Sequence, residues 1–192
     1  MKEEAQTRQD LIKYGKADFL EYGFKNASLR RICKNAGVTT GALYFFFKNK
    51  EDLFEAIIEE PLAMFREMFT RMVSMEMEDS SVFESTEEEM IKFLLRYRDE
   101  VMIILDRSQG TKYEDFKAQY LAMLESVFTK FFKKYLPEPD PQLIHVITSM
   151  RFNGYLEILY GNYPAEKAVQ LAKTVGIYAD AGFAGLVKSL NK

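Results

Sequence analysis

The chain has 192 residues, of which 47% are hydrophobic and 29% are charged, and its formal net charge is −3 at pH 7. This composition is typical of a globular protein with a sizeable core. No stretch approaches the ~20 apolar residues of a membrane span, and the polar start lacks the apolar segment of a signal peptide, so we expect a cytoplasmic protein that does not contact membranes. One cysteine and one histidine are too few for a disulfide or a His/Cys metal site.

Charge is distributed unevenly along the chain. Residues 1–50 carry ten Lys and Arg against five Asp and Glu, a net charge of +5, whereas residues 51–192 carry a net charge of −8. A basic head on an acidic body indicates an anionic partner for the head. The alternative is a basic helix face that serves only solubility.

The predicted elements, in chain order, are all helices, because apolar residues recur at helical spacing and no stretch alternates as a strand would. The first helix ends at Gly23, a residue that can take the left-handed conformation of a helix C-terminus. The second is capped by Ser28 and ends at Gly37, and Thr39 or Thr40 caps a very short third helix. The predicted helices cover about 5–22, 29–36, 40–46, 50–74, 86–106, 113–135, 140–160 and 165–189.

The later helices carry clear stop and start signals. Asn49 caps the fourth helix, and Pro61 is expected to kink or break it because proline cannot donate to the carbonyl four residues earlier. Residues 76–86 are predicted to form an acidic loop, and the proline-rich segment 137–141 ends the helix before it.

The stretch from Ser28 to Phe46 has the layout of a helix-turn-helix, in which a glycine turn joins two short helices. In this motif the second helix enters the major groove of DNA with its N-terminal residues at the base edges. The small residues at that N-terminus, Thr40, Gly41 and Ala42, allow the backbone to approach closely.

The aromatic run at the end of the third helix divides between two faces. Leu43 and Phe47, four residues apart, are predicted to point into the core of the three-helix head. Tyr44 is then turned outward, toward a phosphate oxygen. Phe45 either reaches a thymine methyl group, which is read by apolar contact, or packs within the head.

Cationic side chains surround this helix. Lys48 and Lys50 are predicted to add phosphate contacts beside the start of the fourth helix, which itself favours anions. Arg30 and Arg31 on the second helix either contact phosphate or form a solvated face.

A set of residues within positions 8–58 agrees in order and spacing with a known family. The set is Leu11-Ile12, Phe19, Gly23-Phe24, Ala27-Ser28-Leu29-Arg30-Arg31-Ile32, Ala36-Gly37-Val38, Gly41-Ala42-Leu43-Tyr44, Phe47, Lys50-Glu51 and Leu53. By this set the chain resembles the N-terminal domain of TetR-type (TetR/AcrR-like) transcriptional repressors.

The resemblance implies an all-α homodimer with about nine helices per subunit. It implies a helix-turn-helix DNA-binding domain over residues 1–50 and a helical effector-binding and dimerisation domain over residues 51–192. By position it assigns DNA contacts to Ser28, Thr39, Thr40, Gly41, Ala42, Tyr44, Phe45 and Lys50.

Some positions depart from the family's pattern. Gly15 and Asp18 stand in the first helix where the family often has Ala and Leu, which is expected to loosen that helix. Cys33 stands where Ala is usual and is interpreted as core filler. Phe45-Phe46 replaces a commonly polar or His-containing pair, which leaves fewer hydrogen-bonding groups for the bases.

Methionines recur along the fourth helix at spacings of four and three residues. Methionine fills adaptable apolar cavities, so the far end of this stripe is predicted to line an effector pocket. The alternative is a helix simply packed on its neighbours. The candidate pocket residues are Met68, Met72, Phe93, Tyr97, Phe116, Tyr120 and Tyr155.

Small residues recur in the last two helices. Glycine inside a helix costs about 1 kcal/mol relative to alanine, so these residues indicate the close approach of another helix. The resemblance implies a four-helix dimer interface, and the alternative is ordinary packing within the subunit. The candidate interface residues are Gly154, Ala172, Gly176, Ala179 and Phe183.

These features together predict a sequence-specific DNA-binding regulator. We expect a repressor that binds a pseudo-palindromic operator on double-stranded DNA and is released by a small, largely apolar effector. The alternative is a helical ligand- or protein-binding module without DNA binding. The sequence offers no nucleophile, base or metal constellation, so we expect no catalytic residues, no enzyme activity and no cofactor.

Overall fold

The computed structural model describes residues 2–78, 83–136 and 138–190, apart from the side chains of residues 2, 72–73, 75–78 and 83–87. Within this part the chain forms nine helices and no strands, which confirms the predicted all-α fold. The helices are α1 (Lys2–Asn26), α2 (Leu29–Ala36), α3 (Thr40–Phe46), α4 (Lys50–Glu78), α5 (Phe83–Arg96), α6 (Arg98–Asp106), α7 (Phe116–Phe132), α8 (Pro141–Tyr160) and α9 (Ala165–Leu190).

The chain divides into two compact units. The first comprises the residues up to 65 together with 97–117, and the second comprises 66–96 and the residues from 118 onward. The predicted domain boundary after residue 50 does not coincide with the division between these two units, and it stays a prediction.

The helix ends of the N-terminal head follow the predicted caps. The Ser28 side chain accepts from the backbone N–H of Arg31, and Gly37 ends α2 in the left-handed conformation with φ 70° and ψ 24°. Thr39 Oγ1 accepts from the backbone N–H of Ala42, at 3.2 Å, and so caps α3. These local signals therefore set the residues at which α2 and α3 begin and the residue at which α2 ends.

Gly23 has the predicted positive φ, with φ 72° and ψ 161°, but α1 does not end there. One further helical turn follows the kink. The backbone N–H of Phe24 donates to the Arg107 carbonyl at 2.8 Å, so a bond distant in sequence supports the chain immediately after Gly23. A side chain at this φ would be strained, which explains the glycine.

Pro61 does not break α4, which runs from Lys50 to Glu78 with the proline inside it. The predicted loop over residues 76–86 is helical at its two ends, because α4 reaches Glu78 and α5 begins at Phe83. Its centre, residues 79–82, lies outside the described residues.

The single helix predicted over residues 86–106 is wrong, because α5 and α6 are interrupted at Tyr97, where φ is −110° and ψ is 31°. Two acidic residues occupy the first turn of α6, where they suit the positive end of a helix. One of them, Glu100, also pairs with Lys16 of α1 at 2.9 Å. The helix start is therefore supported by an ion pair that no local pattern reveals.

The core of the first unit is built around α1 and α4. The rings of Phe19, Phe24 and Phe54 pack together, with centroids of Phe19 and Phe54 at 5.2 Å and of Phe24 and Phe54 at 5.3 Å. A Cβ at Gly15 would lie 3.1 Å from the Cδ2 atom of Leu53. Gly15 therefore permits close packing of α1 on Leu53, which gives this departure from the family pattern a structural reason.

Two groups of buried side chains lie at different places along α9 in the described part of the second unit. Ile91 of α5 and Ile158 of α8 pack with Ala168 and Ala172 of α9. Near the other end of α9, Phe183 packs on the group of Phe132, Leu136 and Ile144.

A buried carboxylate ties α1 to α2. Asp18 is only 4% exposed, and it accepts from the backbone N–H of Ser28 at 2.8 Å and from both Nε and Nη2 of Arg31. The Arg31 guanidinium also stacks on the ring of Tyr22, with Cζ 3.8 Å from the centroid. The side-chain hydrogen bond to Asp18 raises the pKa of Arg31. Asp18 therefore positions the start of the helix-turn-helix rather than loosening α1.

We expect Asp18→Asn to lower the free energy of unfolding by about 1.5–3 kcal/mol, because it removes a charge-assisted hydrogen bond to a buried group. The measurement is urea denaturation followed by circular dichroism. Glu21→Gln is the control, since Glu21 is exposed on the same helix, and it should change the free energy by less than about 0.5 kcal/mol. Equal effects of the two substitutions would contradict the role given to Asp18.

Candidate nucleic-acid interface

The inner face of α3 is fixed in the core of the head. Leu43 is fully buried and Phe47 is 2% exposed, as predicted from their spacing. The Arg8 guanidinium of α1 lies over the Phe47 ring, with Cζ 5.4 Å from the centroid. A helix of seven residues is too short to be stable alone, so these two anchors hold it in place.

The outer face of α3 is open to solvent. Tyr44 is 56% exposed and Phe45 is 74% exposed, and Thr40 and Gly41 are exposed beside them. Ala42 is half-buried. Tyr44 therefore points outward as predicted. Phe45 is exposed rather than packed into the core of the head, and its contact with a thymine methyl group stays a prediction.

The rings of three consecutive phenylalanines contact one another in sequence order, from the buried Phe47 through Phe46 to the exposed Phe45. The Phe45 ring meets the Phe46 ring edge-on with centroids 4.9 Å apart, and Phe46 lies 6.5 Å from Phe47. Phe46 is half-buried between the other two. The exposed ring of Phe45 is thus braced by a neighbour that itself rests on the core.

The cations around α3 divide into exposed and internally bound groups. Arg30 and Lys48 are exposed. The backbone N–H of Lys48 donates to Asp52 at 2.9 Å, and Asn49 Oδ1 accepts from the Asp52 N–H at 2.8 Å, which confirms Asn49 as the cap of α4. Arg31, by contrast, is bound to Asp18.

Lys50 differs most from its prediction. Its ammonium donates to the carbonyls of Phe24 at 2.6 Å, Lys25 at 3.3 Å and Ala27 at 3.2 Å. Nζ also lies 4.6 Å from the centroid of the Phe24 ring. Burial lowers the pKa of Lys50, although the nearby charge of Asp18 acts in the opposite direction. The side chain therefore ties the end of α1 to the start of α4, and a phosphate contact from Lys50 stays a prediction.

Sequence reasoning missed the internal use of Asp18 and Lys50. Both residues meet partners more than nine positions away, which helical periodicity does not reveal. Cys33, in contrast, is buried as predicted, and burial raises the pKa of its thiol.

The residues predicted to bind the effector fall in both compact units. Tyr97 and Phe116 belong to the first unit, where the Tyr97 hydroxyl donates to Met64 Sδ at 3.3 Å and the Phe116 ring lies 6.4 Å from that of Phe65. The side chain of Met72 lies outside the described residues.

The other candidates for the effector site belong to the second unit. Met68 and Phe93 are buried. The Tyr120 ring lies 5.7 Å from that of Phe69 and 5.6 Å from that of Phe152. Tyr155 packs against the buried group around Ile91. These contacts agree with simple core packing, so the effector site stays a prediction.

Two of the residues predicted to form the dimer interface, Ala172 and Gly176, are buried within the subunit. Ala172 is 1% exposed and packs on Ile91 and Ile158 within the subunit, and Gly176 is also buried. Their small size serves packing inside the second unit, the alternative interpretation of the glycine and alanine pattern. Neither residue is available to a partner.

The remaining three candidates line an open groove of ≈ 990 Å³ in the second unit: Gly154, Ala179 and Phe183. Residues of α7, α8 and α9 form this groove. Four exposed apolar side chains lie on α8 and α9. Met150 of α8 and Tyr178 of α9 line the groove, and Val146 of α8 and Ile177 of α9 are exposed on the same helices. We call these four residues the α8–α9 patch. The sequence-based prediction relied on small residues and so missed these four apolar ones. Each pair lies outside the row of buried residues on its helix.

The described part of the chain contains neither a candidate membrane span nor a candidate metal site. None of its helices combines the length and apolarity needed to cross a bilayer. No group of three or more His, Cys, Asp and Glu side chains in this part is placed to hold a metal ion.

Comparison with known sequences concerns the N-terminal part. Residues 11–57 match the profile described as bacterial regulatory proteins, tetR family. The HTH-type transcriptional regulator UidR of Escherichia coli (strain K12) is 43% identical over 72 residues, which cover 35% of this chain and 37% of UidR. The chain therefore spans little more than a third of the length of this relative.

Comparison with solved structures covers most of the chain. A transcriptional regulator of the TerR/AcrR family from Aquifex aeolicus VF5 superposes with a TM-score of 0.60, at 21% identity, over 88% of this chain and 96% of that one. AibR, solved in complex with isovaleryl coenzyme A and operator DNA, superposes with a TM-score of 0.60, at 20% identity, over 89% and 97%. At these identities the likeness establishes the fold.

We expect Lys50→Ala to lower the free energy of unfolding by about 1.5 kcal/mol, because three carbonyls lose a charged donor and water replaces it only in part. Lys48→Ala is the matched control and should change stability by less than about 0.5 kcal/mol, since the Lys48 side chain is exposed. Urea denaturation measures both variants. If Lys50→Ala were as stable as Lys48→Ala, the tie between α1 and α4 would not contribute to stability.

Proposed function

We propose that this chain is a member of the TetR family of bacterial regulatory proteins and a sequence-specific transcriptional regulator that binds double-stranded DNA; the match of residues 11–57 to the family profile supports this. It acts in the cytoplasm as a homodimer and represses transcription until a small, largely apolar effector releases it from the operator. It works by binding rather than by catalysis, without a cofactor.

The observation that supports this proposal most directly is that α3 has one buried face and one exposed face. One face is anchored by Leu43 and Phe47, and the other presents Tyr44 and Phe45 to solvent. A surface aromatic pair on a helix-turn-helix has its use in the major groove, where base edges are read. The proposed DNA contacts are Ser28, Arg30, Thr39, Thr40, Gly41, Ala42, Tyr44, Phe45 and Lys48.

Phosphate contacts supply most of the proposed affinity. The exposed cations Arg30 and Lys48 lie on α2 and just before α4, on either side of α3 in sequence. Neutralising phosphates with such side chains releases counterions and makes binding sensitive to salt. Lys50 contacts phosphate only if its ammonium gives up a hydrogen bond to a backbone carbonyl and binds a phosphate oxygen instead.

The proposed dimer is formed through the α8–α9 patch and the adjoining groove. An exposed apolar patch of this kind marks an interaction surface. A Cβ at Gly182 or Gly185 would meet nothing within 4 Å, so the partner's helices can approach α9 closely there. Two-fold symmetry then places the two heads on half-sites about 34–36 Å apart, or a multiple of that distance.

The proposed effector is small and largely apolar. Its support is the aromatic and methionine content of the second unit, where Met68 and Phe93 are buried and Tyr120 packs on two rings. An effector of this class would act only by binding the DNA-free state more tightly.

A salt titration tests the DNA interface. The probe is a duplex selected by the full-length protein from a random library. We expect Lys48→Ala to weaken binding to selected and unselected duplexes alike. It should also reduce the slope of log K against log salt by about 0.9 for each phosphate that is no longer neutralised. Lys133→Ala, an exposed lysine of the second unit, removes the same charge and should leave the slope unchanged.

Two results would count against the proposal. If the wild-type protein retains no duplex even at low salt, the chain is a helical binding module of another kind. If Lys133→Ala and Lys48→Ala change the slope equally, the charge of the whole protein rather than the α3 region drives binding.

Tyr178→Asp tests the dimer surface, since Tyr178 is 69% exposed at the rim of the groove. We expect a monomer by light scattering after size-exclusion chromatography. Operator affinity should fall about 100-fold or more, because two linked half-sites no longer bind together. Met123→Asp, an exposed apolar residue on α7 outside the patch, should remain dimeric. A dimeric Tyr178→Asp protein would place the interface elsewhere.

A further inference from the structure

The DNA-facing helix α3 is poor in hydrogen-bonding groups. Its sequence, TGALYFF, contains no Arg, Lys, Asn, Gln, Asp or Glu. Those are the side chains that recognise guanine, adenine and cytosine through paired hydrogen bonds in the major groove. Only the hydroxyls of Thr40 and Tyr44 remain on the helix, and a hydroxyl bonds to several bases without distinguishing them well.

Phe45 stands out on this helix by its exposure. At 74% it has the highest exposure among the large hydrophobic side chains in the described part of the chain. Its ring cannot hydrogen-bond, so leaving it in water has no benefit for the folded protein by itself. An exposed apolar ring at the centre of a proposed interface therefore indicates an apolar target.

The Phe45 ring already has one packing partner in the free protein. Phe46 meets it edge-on at 4.9 Å, and Phe46 lies 6.5 Å from Phe47, which is buried. A ring with a packing partner loses less conformational freedom on binding than a ring with none, and a smaller loss leaves more of an apolar contact as a gain in affinity.

The major groove offers one apolar group that distinguishes bases, the C5-methyl group of thymine. We propose that Phe45 is a specificity-determining residue that recognises a thymine methyl group in each half-site of the operator. This inference rests on the proposed function and adds to it the identity of a base and the chemistry of its recognition. The operator is then read more by methyl groups than by paired hydrogen bonds.

Replacement of thymine by deoxyuridine tests the inference, because it removes the methyl group and keeps every hydrogen-bonding group. The full-length protein first selects a duplex from a random library. Each thymine of the selected site is then replaced by deoxyuridine, symmetrically in the two half-sites, and affinity is measured by fluorescence anisotropy at one salt concentration.

We expect at least one symmetric replacement to weaken wild-type binding by about fourfold per methyl group, hence about 15-fold for the pair. Phe45→Ala should bind the thymine duplex more weakly than the wild type and should bind the thymine and deoxyuridine duplexes equally. The Phe45 side chain is exposed, so this variant should fold, and its circular dichroism and melting temperature verify that it does.

Tyr44→Phe is the matched control on the same helix. It removes a hydroxyl and keeps a ring, so it should weaken binding while the penalty for deoxyuridine stays as in the wild type. This separates recognition of the methyl group from a general weakening of the interface.

The outcomes distinguish the inference from the function on which it rests. If no duplex is selected, the proposed function fails and the inference fails with it. If a duplex is selected but no deoxyuridine replacement weakens binding, or if Phe45→Ala keeps the wild-type penalty, DNA binding stands and the inference is overturned. The ring would then pack on sugar or backbone, where its affinity does not depend on the methyl group.

Discussion

The arrangement of the head depends on one constraint, the burial of Leu43 and Phe47 behind a helix of seven residues. A segment of two turns forms too few hydrogen bonds to offset the cost of nucleating a helix. Its conformation therefore comes from the side chains that it buries and from the caps at its ends. Because the anchors fix the rotation of α3 about its axis, they also decide that Tyr44 and Phe45 face solvent.

Ion pairs and hydrogen bonds inside the head also hold its helices together, and they change how the positive charge of the head is interpreted. Arg31 is bound to Asp18, and Lys50 is bound to three carbonyls, while Lys16 pairs with Glu100 outside the basic segment. The net charge of +5 over residues 1–50 thus includes cations that hold the head together. The positive field available to an anion comes from the smaller number of exposed cations.

The sequence predicts those features that depend on neighbours in the chain. Capping by Ser28 and the left-handed Gly37 follow from local backbone geometry, and the inward direction of Leu43 follows from helical spacing. The interruption at Tyr97 and the internal bonds of Lys50 depend on partners brought together by folding. For the same reason a small residue such as Ala172 predicts a close approach but does not say whether the neighbour belongs to the same subunit.

These constraints bear on the proposed recognition of DNA by the head. Apolar contacts such as those open to Phe45 have no preferred direction, so they cannot by themselves set the register of the protein on the duplex. Register has to come from phosphate contacts, which position without specifying. Such contacts position accurately only when the backbone that carries them is rigid. The ties at Asp18 and Lys50 join α1 to α2 and to α4, the two helices that flank α3. Internal use of these two charges is therefore compatible with the proposed selection of a DNA sequence by an aromatic helix.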